Sequence, residues 1–164
     1  MNLYFVRHGE TDWGLVESRG ARGWAKDFAP LTPLGRLQID TIARDYRLSE
    51  AEAILCSTFT RALESGALLS RALNKPLFVE HDLHEWLPQK DPLADYDHQM
   101  LAEAKKTLSG AVPVDNSAPW ESLEEVRSRV LEVLRRYRAF DPEELAAGGR
   151  RCGAGSDAAG DRRG

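Results

Sequence analysis

Near its start the chain reads Leu3-Tyr4-Phe5-Val6-Arg7-His8-Gly9-Glu10-Thr11. Residues 2–7 are nearly all apolar, which is typical of a strand that is covered on both faces of a parallel sheet. Gly9 allows the backbone to turn tightly directly after this strand. The pattern therefore predicts a central parallel strand with an Arg-His pair at its carboxyl end, where open α/β sheets bind their ligands.

The rest of the chain continues an α/β pattern. Thr32 and Pro33 predict the start of a helix, and Ser122 and Glu125 have the capping-box spacing that precedes another. Residues 10–30 keep no period and predict a long loop. The other predicted elements are a helix ending near Leu48, a strand at 53–57, a helix after Thr58 to about Ala72, a strand at 77–79, and helices around 95–108 and 122–137. This order predicts a three-layer α/β/α fold with a mainly parallel sheet.

Composition and charge exclude several classes of protein. The 164 residues correspond to about one domain, and 22 Lys and Arg against 26 Asp and Glu give a net charge of −4. Such a charge offers no attraction to nucleic acid or anionic lipid, and no apolar run approaches the roughly 18 residues of a membrane span. Cys56 and Cys152 have no spacing typical of a disulfide framework or a metal site. We expect a cytoplasmic protein without metal or cofactor.

The end of the chain has a different composition. Residues 145–164 contain six Gly, five Ala and four Arg, a composition that cannot build a packed core. We therefore expect an incomplete domain at residues 1–140 and a disordered tail at 141–164.

The Arg7-His8 pair is the strongest chemical signal. A neutral imidazole can attack phosphorus at physiological pH, and a neighbouring guanidinium can neutralise the phosphoryl oxygens. An isolated Arg-His pair more often reflects a hydrogen-bonded histidine at a strand end. The surrounding strand and glycine favour the catalytic interpretation here.

Four further motifs stand in a recognisable order. They are Leu31-Thr32-Pro33-Leu34-Gly35 with Gln38, Ser57-Thr58-Phe59-Thr60-Arg61-Ala62, Asp82-Leu83-His84-Glu85, and Trp120-Glu121-Ser122 with Arg127. Together with the Arg-His-Gly triplet they resemble the histidine phosphatase superfamily, also called the phosphoglycerate mutase-like family, over roughly residues 2–140. The combination is far more specific than any one of its parts.

The resemblance implies a site and a reaction. It identifies His8 as the residue that accepts the phosphoryl group, Arg7 and Arg61 as phosphate ligands, and Glu85 as the acid; Thr11 is expected at the substrate-binding rim. It implies hydrolysis of a small phosphomonoester through a phosphohistidine, with no metal or cofactor. A phosphomutase is the alternative, although no basic, tyrosine-bearing insertion lies between Glu85 and Pro119.

The chain departs from the family pattern in one respect. Members carry a late strand that ends in a second His-Gly, whereas no histidine follows His98 in this sequence. We expect a truncated or frame-shifted chain that lacks this strand, with impaired activity and possible self-association through an unpaired sheet edge. Two further hypotheses are a non-catalytic anion-binding remnant and an interaction module that borrows a strand from a partner.

Overall fold

The structure, a computed structural model, describes residues 2–109 and 117–138. Its helices and strands are, in chain order, α1 Trp13–Ser18, α2 Pro33–Ile42, β1 Ile54–Cys56, α3 Thr60–Leu73, β2 Leu77–Val79, α4 His98–Leu108 and α5 Leu123–Arg138, with 3-10 helices at Gly23–Phe28, Tyr46–Glu50 and His81–Leu83. The predicted strands at 53–57 and 77–79 and the helices after Thr58 and Ser122 are confirmed within a few residues.

A parallel sheet lies between two helical layers. β1 pairs with β2 in parallel, with Ile54 opposite Leu77 and Cys56 opposite Val79. Leu77 packs closely on Gly66 of α3, whereas the next residue, Phe78, contacts the Tyr137 ring of α5 at 5.4 Å between centroids. Successive side chains of a strand point to opposite faces. α3 and α5 therefore cover opposite faces of the sheet, as the predicted three-layer fold requires.

The hydrophobic core lies between α2 and α3. Leu31, Ile39, Leu48 and Leu69 are buried together, and partly buried residues from β1 and both helices surround them. This packing fixes α2 against α3, and those two helices hold the turn that carries His8.

The predicted first strand is not formed in the described part of the chain. Residues 2–7 belong to no strand there, and the side chain of Phe5 is 86% exposed. The physical reason is the lack of a neighbour, because a central strand needs hydrogen-bonding partners on both edges. β1 and β2 pair with each other, and no other strand occurs among the described residues.

The long loop predicted at residues 10–30 contains local structure. Asp12 caps α1, since its Oδ1 accepts a hydrogen bond from the Leu15 amide at 3.0 Å, and a 3-10 helix follows at Gly23–Phe28. Both segments have six residues, too few for a hydrophobic period to stand out. α2 ends at Ile42, six residues before the end predicted near Leu48. A 3-10 helix follows instead, and Asp45 caps it by accepting a hydrogen bond from the Arg47 amide.

Two predictions fall outside the described residues. These are the domain boundary near residue 140 and the tail at 141–164. Among the helices of the described ranges, none has both the length and the apolar character needed to cross a bilayer.

Candidate active site

His8 lies on a turn where two backbones cross. A Cβ atom on Gly9 would fall on the carbonyl oxygen of Gly35, and a Cβ on Gly35 would fall on that of Glu10. The Gly9 amide donates to Ser65 Oγ of α3 at 3.2 Å. The Glu10 amide donates to Gln38 Oε1 of α2 at 2.8 Å. The turn after His8 is therefore tied to both helices, and both crossing positions require glycine.

Hydrogen bonds determine which ring nitrogen of His8 carries the proton. Nδ1 lies 2.8 Å from the carbonyl oxygen of Gly9, and because a carbonyl can only accept, this nitrogen must donate. Thr11 Oγ1 lies 3.4 Å from the same nitrogen. In neutral imidazole this leaves the lone pair on Nε2, which is the form needed for nucleophilic attack.

Arg61 is a buried cation in the first turn of α3. The residue is 3% exposed, and its guanidinium donates to Asp27 Oδ1 and to Glu85 Oε2, each at 2.8 Å. It also lies 5.2 Å from the ring centroid of Trp13 and 5.0 Å from that of Phe59. These contacts hold the guanidinium in one place between two acids and two aromatic rings.

Burial and ion pairing shift the pKa values of Arg61 and Asp27 in opposite directions. Burial lowers the pKa of Arg61, but its hydrogen bonds to Asp27 and Glu85 outweigh that effect and the pKa is raised. Burial also raises the pKa of Asp27, and here the Arg61 guanidinium offsets only part of the shift. Arg61 therefore remains a fixed positive charge.

The structure brings the predicted site residues together in two groups. Arg7 and His8 line a cavity of about 380 Å³ with Gly9, Gln38, Thr41 and Ile42. Arg61 and Glu85 form the other group, and neither they nor Thr11 line that cavity. The Ser65 hydroxyl joins the groups, because it accepts from the Gly9 amide and donates to the Arg61 carbonyl oxygen at 2.7 Å.

Sequence reasoning missed two charged residues of the site. Asp27 lies in the segment predicted as an aperiodic loop, and no local pattern marked it as a partner of Arg61. Arg127 was the expected arginine of α5, but it is exposed and pairs with Glu124 at 3.8 Å. Arg129, two residues further along the helix, reaches the loop of Glu85 instead.

No cluster of three or more His, Cys, Asp or Glu suited to a metal ion occurs in residues 2–109 and 117–138. The rings of His81 and His84 are in contact, with centroids 5.1 Å apart. The His84 ring nitrogen Nδ1 lies 2.7 Å from the Glu85 carbonyl oxygen.

Comparisons with known proteins agree on one family. The family model of the histidine phosphatase superfamily, branch 1, matches residues 3–147. A probable phosphoglycerate mutase GpmB of Proteus mirabilis is 25% identical over 138 residues, which are 82% of this chain and 61% of the relative. The chain thus spans about three fifths of that relative's length.

Solved structures share the fold. A mycobacterial glucosyl-3-phosphoglycerate phosphatase, determined with inorganic phosphate, is 23% identical with a TM-score of 0.60, and the match covers 88% of this chain and 65% of that one. The alpha-ribazole phosphatase of Shigella flexneri is 22% identical with a TM-score of 0.54, covering 81% and 65%.

Proposed function

Because the chain belongs to the histidine phosphatase superfamily, we propose that it is a phosphomonoester hydrolase that works through a phosphohistidine on His8. The observation that carries this proposal is the hydrogen bond from His8 Nδ1 to the Gly9 carbonyl oxygen at 2.8 Å. It leaves Nε2 unprotonated in neutral imidazole, and Arg7 lines the same cavity as His8.

The proposed reaction has two steps. His8 Nε2 attacks the phosphorus, the bond from phosphorus to the ester oxygen breaks, and Glu85 gives its proton to the departing alkoxide. A water molecule then attacks the phosphohistidine while the Glu85 carboxylate takes a proton from it. Inorganic phosphate leaves, and His8 and Glu85 return to their starting protonation states.

Arg7, Arg61 and Thr11 are the proposed ligands of the phosphoryl group. Arg61 supplies two donors in a fixed fork, which suits phosphoryl oxygens. One N–H of Nη1 and one of Nη2 are engaged by carboxylates, so a phosphoryl group that binds these same N–H groups displaces at least one carboxylate. Glu85 is better placed to move than Asp27, because its side chain is 66% exposed and that of Asp27 is 24% exposed.

The substrate we propose is a small phosphorylated metabolite. The solved relatives include a glucosyl-3-phosphoglycerate phosphatase and an alpha-ribazole phosphatase. The named mutase relative keeps phosphoryl transfer to a second alcohol as an alternative. Hydrolysis is favoured because residues 86–118 contain a single tyrosine, Tyr96, three lysines and no arginine.

We propose that the phosphatase activity of this chain is impaired. No histidine follows His98, so the second imidazole expected from the family resemblance has no counterpart in this sequence. Loss of one preorganised donor from a site where charge develops commonly costs about 10²–10³ in rate. Complete loss of turnover would leave the alternative of a non-catalytic anion-binding protein.

We further propose that this chain associates with a second copy of itself through residues 2–7. Leu3 and Phe5 are exposed, and the segment has no sheet partner within the described residues. An unpaired apolar segment can pair with the same segment of another molecule. Size-exclusion chromatography of the wild-type chain and of Phe5→Ser tests this: a concentration-dependent dimer that Phe5→Ser weakens is expected, and a wild-type monomer at every concentration contradicts it.

Turnover of 4-nitrophenyl phosphate, compared between the wild-type chain and His8→Ala, tests the main proposal. We expect slow hydrolysis that His8→Ala abolishes and that the exposed-histidine control His98→Ala leaves unchanged. Radiolabelled phosphate should be trapped on the wild-type protein at His8. Equal rates for the wild type and His8→Ala would overturn the proposal.

A further inference from the structure

Arg129 of α5 holds the loop that carries Glu85. Its Nη1 donates to the carbonyl oxygens of Asp82 and His84 at 2.6 and 2.8 Å. Its Nη2 lies 3.5 Å from the carbonyl oxygen of Glu85 itself. One guanidinium thus contacts three carbonyl groups over four consecutive residues of this loop.

Glu121 completes the same cluster from the residue pair that precedes α5. Its two carboxylate oxygens accept from Arg129 Nε and Nη2 at 2.6 and 2.9 Å, and the two side chains are 8% and 12% exposed. Oε2 also accepts from the Leu87 amide at 3.2 Å, and the Glu121 carbonyl oxygen accepts from Trp86 Nε1 at 2.6 Å. We call the buried pair of Arg129 and Glu121 the loop clamp.

The loop clamp fixes the backbone on both sides of Glu85 and leaves its side chain accessible. The side chain of Glu85 is 66% exposed, and its carboxylate pairs with Arg61. A general acid must lie within hydrogen-bond reach of the leaving oxygen, and a loop does not hold a side chain in place by itself. The fixed backbone therefore restricts the region that the Glu85 side chain can reach.

We propose that Arg129, oriented by Glu121, is a positioning residue for proton transfer by Glu85. The inference rests on the proposed function, because it assumes that Glu85 protonates the leaving group. Arg129 touches the backbone of the loop and acts on the reaction only through Glu85.

A comparison of two substrates with different leaving groups distinguishes a positioning role of Arg129 from simple structural support. An alkyl phosphate releases a strongly basic alkoxide and needs the acid, whereas 4-nitrophenyl phosphate releases a stable phenolate and needs it much less. A loss of folded protein lowers both rates equally. A misplaced acid lowers the rate for the alkyl ester selectively.

Arg129→Lys is the appropriate variant, since lysine keeps the charge beside Glu121 but loses the planar fork that reaches several acceptors. We expect its kcat for glycerol phosphate to fall about tenfold or more, because a positioned general acid contributes roughly 10²–10⁴-fold. We expect KM to stay nearly constant and kcat for 4-nitrophenyl phosphate to change much less. Arg127→Lys, an exposed residue on the same helix, should leave both rates unchanged.

A double-variant comparison tests the route through Glu85. In a Glu85→Gln background the acid is absent, so Arg129→Lys should have little further effect on the alkyl ester. An equal loss in both backgrounds, or an equal loss for both esters, would overturn the inference.

Hydrogen exchange provides a readout that does not depend on turnover. The Leu87 amide is bonded to Glu121 and should exchange faster in Arg129→Lys than in Arg127→Lys. Unchanged exchange overturns the inference even if the protein has no phosphatase activity. Failure of the proposed function has a different signature, namely wild-type turnover that does not depend on His8.

Discussion

Arg61 and Glu85 form an ion pair in which Arg61 Nη2 donates to Glu85 Oε2 across 2.8 Å. The pair joins the proposed phosphate ligand to the proposed acid, so the two functions compete for one guanidinium. In the proposed reaction, a phosphoryl group that binds Arg61 in place of Glu85 frees the side chain of Glu85 to turn toward the leaving oxygen. We therefore expect binding of the substrate and placement of the acid to be coupled.

Glu85→Gln should separate these two effects. The amide cannot give up a proton in the way a carboxylic acid does, so kcat for an alkyl phosphate should fall roughly 10²–10⁴-fold. Removal of a negative charge that competes for Arg61 should make inorganic phosphate a tighter inhibitor. Steady-state kinetics with phosphate inhibition measure both quantities. Glu124→Gln, an exposed control on α5, should change neither, and weaker phosphate inhibition of Glu85→Gln would contradict the competition.

The crossing of Gly9 and Gly35 predicts an intolerance of side chains. In either position a Cβ would overlap a backbone carbonyl of the other segment, and neither backbone can move without breaking the bonds that tie the turn to α2 and α3. Gly9→Ala and Gly35→Ala should therefore each destabilise the fold by about 1–3 kcal/mol, the usual range for overpacking. Unfolding in urea measures this.

Gly14→Ala is the matched control for the crossing. A Cβ on Gly14 would meet Asp12 Oδ1 at 3.6 Å, an ordinary contact, and alanine favours the helix over glycine by about 1 kcal/mol. This variant should be as stable as the wild type or more stable. Equal losses of stability in all three variants would refute the steric explanation.

Local signals in the sequence are sufficient to predict α3, β2 and α5. α5 begins with reciprocal bonds between Ser122 and Glu125, a pattern confined to four residues, and β2 is a short apolar run between polar neighbours. The partners of Arg61 could not be predicted in the same way. Asp27 and Glu85 lie 34 and 24 residues from it along the chain, and only the tertiary fold brings them together.

The segment at residues 2–7 is a case in which the local pattern predicts the wrong structure. Its composition is that of a buried strand, but burial depends on neighbouring strands, which a local pattern does not contain. Similarly, the period of α5 places both Arg127 and Arg129 on a helix. Selection of Arg129 as the loop contact depends on which face of α5 packs against residues 82–87.

The capping box of α5 predicts a stability that depends on pH. The hydrogen bond from the Ser122 amide, followed by that from Lys90, lowers the pKa of Glu125 to about 2. A lowered pKa means that the stabilisation is fully present above the ordinary value of 4.5 and is lost as pH falls through about 2. Glu125→Gln should remove this dependence, and Ser122→Ala should cost about 1 kcal/mol at neutral pH.

Urea unfolding of both variants between pH 2 and 7 provides the measurement for the capping box. Glu124→Gln is again the control, since Glu124 is exposed and pairs with Arg127 at the surface. A Glu125→Gln variant with the same pH dependence as the wild type would show that the bonds of this carboxylate do not stabilise the helix.

Asp27 should have the opposite pH dependence. Its pKa is raised above 3.8, chiefly by burial, so in the folded state this carboxyl holds its proton more tightly than in the unfolded chain. Its contribution to stability therefore falls as pH rises from 3.8 through the raised pKa. Asp27→Asn has no such titration, and its free energy of unfolding relative to the wild type should increase across that interval. Urea unfolding between pH 3 and 7 measures the difference, with Asp40→Asn as an exposed control. A relative stability of Asp27→Asn that instead decreases with pH would mean that attraction by Arg61 outweighs the burial of Asp27.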